Sequence, residues 1–136
     1  MLSQTATNCF ENECCSISLD LDIGCLILTW KGLLPSKGFR EVHHQALALI
    51  RKHKLTKMMG DARRMKTIGS SDSEWVLSYW LPSAAAAGFR YNAIVESDYL
   101  FNQDSINSII QKTDQKHITF RHFKTEDDAL FWLKHQ

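Results

Sequence analysis

Hydrophobic and polar residues alternate strictly from Ser16 to Leu21, with Ile17, Leu19 and Leu21 on one side and Ser16, Ser18 and Asp20 on the other. A period of two is the pattern of a half-buried strand. Asp22, Ile23 and Gly24 supply turn chemistry, and the more apolar run from Cys25 to Lys31 predicts a second strand, so the pair forms a hairpin. Gly32 and Pro35 break that pattern. From Ser36 to His53 the period becomes helical: Phe39, Val42, Ala46, Leu49 and Ile50 line one face, opposite Lys37, Glu41, His44 and Lys52. Ser36 is the expected N-cap, with Pro35 just outside it.

The short apolar run Lys57 to Ala62 predicts a strand near the centre of a sheet. A helix starting near Asp72 carries Trp75, Val76, Tyr79 and Trp80. Pro82 interrupts it, because proline cannot donate a backbone hydrogen bond and crowds the preceding turn, so a kink or restart is expected there. The alanine-rich stretch that follows ends at Gly88, suited to a left-handed helix terminus. Tyr91 to Glu96 predicts a strand, Ile106, Ile109 and Ile110 a short helix, and Ile118 to Phe123 a further strand. Thr125 to Asp128 cap the last helix, whose Ala129, Trp132 and Leu133 face a core.

Strand, strand, helix, then strand–helix three times predicts an α/β fold with a mixed sheet. An N-terminal antiparallel hairpin is followed by parallel βα units with right-handed crossovers, about five strands and four helices in all. Residues 1–13 show no periodicity and are predicted to be a loose leader to a single domain over 14–136.

At 136 residues, 44% hydrophobic and 23% charged, the chain has the size and composition of one soluble globular domain. No apolar run approaches the roughly 20 residues needed to span a bilayer, which argues against membrane insertion. The N-terminus lacks the basic and apolar segments of a signal peptide, so a cytoplasmic location is expected. The net charge of +1 conceals a basic segment, since nine Lys or Arg face two acids between Lys37 and Lys66. No nucleic-acid motif accompanies it, and it is read as a solvated helix face, with no nucleic-acid partner expected.

Cys9, Cys14, Cys15 and Cys25 lack the paired spacing of a zinc site. His43 and His44 are adjacent on a helix and point about 100° apart, which does not suit one metal. No metal or cofactor is expected. The absence of nucleophile-elbow, zinc-protease and phosphate-loop motifs leads to the expectation of a non-enzymatic chain.

The segment 60–75, GDARRMKTIGSSDSEW, holds the candidate site. Ser71 and Glu74 have the spacing of a capping box, in which Ser71 accepts from the Glu74 backbone N–H and the Glu74 side chain returns to Ser71. The same helix start suits an anion or phosphate, with Arg63, Arg64 and Lys66 adding positive charge. Asp61 ends its strand and is expected to bind loop N–H groups or pair with Arg63 or Arg64. Trp75 and Trp80 are five residues apart, about 140° around a helix, so with Tyr79 they cannot all face one core. They are candidates for a contact surface or a ligand pocket.

This element order resembles the STAS domain of bacterial anti-sigma-factor antagonists and the wider SpoIIAA-like superfamily, over roughly residues 15–135. The local resemblance lies in the strand ending at Asp61, the loop with Ser70 and Ser71, the helix, Gly88 and the strand Asn92-Ala93-Ile94-Val95. Trp75, Trp80-Leu81-Pro82, Ala87-Gly88 and Phe131-Trp132-Leu133 are most similar to uncharacterised SpoIIAA-like proteins of the Bacteroidetes. In STAS antagonists the corresponding loop carries a serine that a partner kinase phosphorylates; here the glycine precedes the serine pair and the aspartate follows it. The resemblance implies a regulatory or protein-interaction module with Ser70, Ser71, Asp61 and Arg63 as candidate regulatory or anion-binding residues. Its partner would be an unidentified, signalling-type protein, and a homodimer is compatible with the sequence. The alternative is a domain that binds a small apolar or anionic ligand beside Trp75, Tyr79 and Trp80.

Overall fold

A computed structural model describes residues 6–97, 100–113 and 117–136. Six strands form one sheet in sequential order: β1 (Thr7–Glu11), β2 (Cys15–Asp20), β3 (Cys25–Trp30), β4 (Lys57–Asp61), β5 (Tyr91–Val95) and β6 (Thr119–Phe123). β1, β2 and β3 pair antiparallel, and β3 to β6 pair parallel. The expected mixed α/β architecture is present, with an N-terminal antiparallel part followed by parallel βα units.

Helix α1 (Ser36–His53) joins β3 to β4, and α4 (Leu100–Lys112) joins β5 to β6. Between β4 and β5 runs one continuous helical body: α2 (Ser70–Trp75), a π-helical turn over Val76–Trp80, and α3 (Leu81–Ala86). Helix α5 (Glu126–Lys134) ends the chain, which makes four helical bodies among the described residues. The π-turn sits just ahead of Pro82, where an inserted residue in the ladder accommodates a side chain that lacks the N–H. The chain stays helical through Pro82, so the interruption expected there takes the form of a π-turn and not of a break.

The strands divide their side chains between two layers by simple alternation. Ile17, Leu19, Leu26, Leu28, Met58 and Ile94 face α1, α2 and α4 in the main core. Cys25, Ile27, Met59, Ala93 and Val95 face α5 through Ala129, Leu130 and Leu133. The small residues Ala93 and Ala129 let α5 lie close against β4 and β5. Gly88, at φ +108°, takes the position after α3 that disfavours a Cβ; Gly88 N–H donates to the Ala85 carbonyl and Phe89 N–H to the Ala84 carbonyl. That terminus turns the buried Phe89 back into the main core.

Two expectations about the strands fail. Residues 7–11, expected within the loose leader, form the edge strand β1, paired with β2 around an irregularity between Asn8 and Phe10. An edge strand with solvent on most of its side chains needs no hydrophobic alternation, and only Phe10 packs on the core. Leu21, expected on the inner face of β2, is 68% exposed. The strand ends at Asp20, whose Oδ1 accepts from Ile23 N–H and starts the turn one residue early.

Candidate interaction surface and the polar sites around it

Gly69, in extended conformation, is the N-cap of α2, and its carbonyl accepts from Ser73 N–H at 2.9 Å. No side chain caps the helix, so the Ser71–Glu74 capping box is not formed. Ser71 Oγ instead accepts from Arg40 Nη2 at 3.1 Å. Asp72, only 5% exposed, accepts on Oδ1 from Arg40 Nε at 2.8 Å and from Ser36 Oγ at 2.7 Å. Ser36, expected to cap α1, is thereby committed to Asp72, and α1 starts after Pro35 without a side-chain cap. The physical reason is charge: hydrogen bonds to an ionised group contribute about 1.5–3 kcal/mol, against roughly 1 for a neutral cap.

Ser70 is exposed as the first residue of α2. The four candidate regulatory residues do not form one site. Ser70 and Ser71 lie beside α1, whereas Asp61 points to the opposite face of the sheet, toward α5.

The aromatic trio separates as the helical angle requires. Trp80 is 1% exposed, and its Nε1–H donates to the His43 carbonyl at 2.6 Å. Trp75 is half-buried and stacks on Tyr79 with centroids 5.5 Å apart; Tyr79 is 46% exposed. His44 meets both rings edge-on, and the Arg40 guanidinium lies 5.1 Å from the Trp75 centroid. Trp75, Tyr79, His44 and Arg40 thus make an aromatic and basic patch across α1, α2 and the π-turn, directly beside the serine pair.

On the α5 side, Arg63 holds two carboxylates. Its backbone N–H and Nε donate to Asp61 Oδ1, its Nη2 to Asp61 Oδ2 at 2.7 Å, and the same Nη2 to Glu126 Oε1 at 2.7 Å. Burial alone would raise the Asp61 carboxyl, but the bonds from Arg63 and Glu126 hold it below its ordinary value. Burial, and then the Asp61 carboxylate, push Glu126 upward. With its guanidinium engaged by both acids, Arg63 acts as a clamp between β4 and α5. Thr125 Oγ1 accepts from Asp128 N–H and caps α5, as expected, which sets Glu126 in the first turn facing Arg63.

The main core also holds polar groups, of which sequence reasoning missed Asn92. His43 is buried against Phe39, Trp30 and Trp80. Its Nδ1 lies 2.9 Å from the Phe39 carbonyl, which can only accept, so Nδ1 carries the proton. Burial pushes the imidazole down to about 4, so the ring is neutral at pH 7. Asn92, the second residue of β5, is 8% exposed and its Oδ1 has no hydrogen-bond partner. A buried unsatisfied acceptor costs about 1–3 kcal/mol. It lines a cavity of about 100 Å³ between the sheet, α1, the π-turn and α4. The available signal was an asparagine inside the apolar run Asn92-Ala93-Ile94-Val95.

Among the described residues, no group of three or more His, Cys, Asp or Glu is placed to hold a metal ion, and no helix is long and apolar enough to cross a membrane. Cys14, Cys15 and Cys25 are buried free thiols, all pushed up by burial.

No protein-family model matches the chain, and no curated protein matches it. Among solved structures, it is similar to an anti-sigma factor antagonist from Mycobacterium paratuberculosis, at 14% identity and a TM-score of 0.49. The match covers 95% of this chain and 94% of that one. Likeness at that level says nothing of what the chain does.

Proposed function

We propose that the chain is a non-enzymatic regulatory module of the STAS-like type that docks a protein partner on the Trp75–Tyr79 patch. The observation that carries this reading is the stacked pair itself: a rigid aromatic surface, with Tyr79 46% exposed, framed by Arg40 and His44. Aromatic and arginine side chains anchor protein interfaces because they bring large contact area with little conformational freedom to lose. The partner therefore offers an apolar side chain to the rings and an acceptor to the basic rim. Ser70, exposed at the start of α2 beside this patch, is the position where phosphorylation would add about −1.5 to −2 charges at pH 7 and alter docking. The free thiols fit a reducing compartment, consistent with a cytoplasmic role.

Tyr79→Ala and Ser70→Asp baits test this against the unaltered chain in affinity capture with quantitative mass spectrometry. Both variants should keep the native circular dichroism and urea midpoint, while a partner captured by the unaltered chain falls about tenfold with Tyr79→Ala. Equal recovery of every captured protein by all three baits removes this surface as the docking site.

A further inference from the structure

We propose that the cavity beneath the π-turn binds a small, uncharged, mainly apolar molecule of about benzene size that carries one O–H or N–H donor, accepted by Asn92 Oδ1. This goes beyond partner docking and does not depend on it. Asn92 is more than nine-tenths buried on strand β5, lines the cavity, and leaves Oδ1 without a partner. On the adjacent strand, Gly60 also lines the cavity, and a Cβ added there would meet nothing within 4 Å. The sheet thus leaves both an acceptor and space at one place.

The walls are apolar, with Met58, Trp80, Ile94, Ile106 and Phe120 among them, and no Asp, Glu, Lys or Arg lines the space among the described residues. A charged ligand would lose its hydration there without a counter-charge. Water suits the site poorly as well, because a buried water needs two to four polar partners. Of the polar lining atoms, the His43 Nδ1–H is already given to the Phe39 carbonyl and the Trp80 Nε1–H to the His43 carbonyl. At about 100 Å³ the space is of the same order as the roughly 150 Å³ engineered cavity, in another protein, that takes up benzene. A second, polar pocket of about 260 Å³ shares Ile94 and Ile106 with the cavity and holds Ser97, Gln103 and Asn107. It lies beyond the carboxyl ends of β5 and β6, where ligands enter open α/β sheets, and supplies the entrance.

Phenol and toluene, titrated into the full chain and followed by amide NMR shifts, test the proposal. Both probes should saturate, with the largest shifts at Asn92, Ile94 and Ile106. Asn92→Leu should weaken phenol about tenfold and leave toluene unchanged or tighter, since only phenol uses the acceptor. Gly60→Val should abolish uptake of both by filling the space; should that variant misfold, the Asn92→Leu comparison decides alone. No saturable shift with either probe, equal loss of phenol and toluene in Asn92→Leu, or a lone ordered water at Asn92 that neither probe displaces would overturn the assignment.

Discussion

On the α1–α4 face the sheet covers a neutral histidine and an unpartnered amide, whereas on the α5 face it covers two carboxylates held by one guanidinium. Both faces bury polar atoms at the ends or centres of the same parallel strands, and the difference lies in charge. Asp61 and Glu126 stay within reach of Arg63, because a desolvated carboxylate without a counter-charge is far more costly than a neutral group. His43 solves the same problem by giving up its proton, and Asn92 has no charge to compensate. The paired face keeps its charges beside an open, polar cleft lined by Asp61, Arg63 and Glu126; the neutral face retains the apolar cavity.

The largest expected contrast is in the response to acid. The His43 imidazole ordinarily titrates near 6.5 and is pushed down to about 4 in the fold. Between those values the unfolded chain binds more protons, so stability falls as pH drops from 6.5 toward 4 and is independent of this group above 6.5. A shift of that size corresponds to about 3 kcal/mol. Urea unfolding at pH 7 and pH 4 should show this loss, and His43→Leu should remove most of it. Glu126 works in the opposite sense: with its folded value raised from 4.5, its contribution is present below 4.5 and fades as pH rises through the folded value. Glu126→Gln therefore sharpens the His43 signal. An identical acid response in the unaltered chain and His43→Leu would mean that the imidazole is not buried neutral.

Next in size is the clamp. Arg63→Met leaves Asp61 and Glu126 facing each other without a counter-charge. Since the arginine is itself 40% exposed, screening reduces the cost to about 2 kcal/mol. Adding Glu126→Gln should return part of that loss, because a neutral amide can donate to Asp61. Additive effects of Arg63→Met and Glu126→Gln, each measured alone and together, would show that Arg63 and Glu126 are not coupled.

The elements that sequence periodicity made visible are those with one wet and one dry face. Helix α1 alternates at 3.6 residues and occupies the expected residues, and the crossovers follow from strand–helix alternation. Strand β1 was invisible because an edge strand here buries only Phe10. At the serine junction, local spacing suggested a capping box, but the decisive partner, Arg40, lies 31 residues from Ser71 and 32 from Asp72. Spacing rules register neighbours on one helix and cannot register a guanidinium arriving from another. Asn92 was legible as a strand residue, but its missing partner and the space opposite Gly60 exist only once three helices close over the sheet.

The smallest effect tests whether charge chooses the partners at that junction. Asp72→Asn keeps an oxygen for Ser36 Oγ and Arg40 Nε but removes the negative charge, so the Ser36 bond becomes a neutral one and the Arg40 bond loses its ion pair. The expected cost is about 1 kcal/mol in urea unfolding. With Arg40 held less firmly, its contact with Trp75 loosens, and the indole fluorescence should change in the native state. Ser71→Ala removes only the more exposed bond from Arg40 and should cost under about 0.5 kcal/mol. The reverse ranking, with Ser71→Ala more damaging than Asp72→Asn, would restore the hydroxyl as the group that starts α2. It would also make the Arg40–Asp72 pair a consequence of the helix rather than the reason it starts at Ser70.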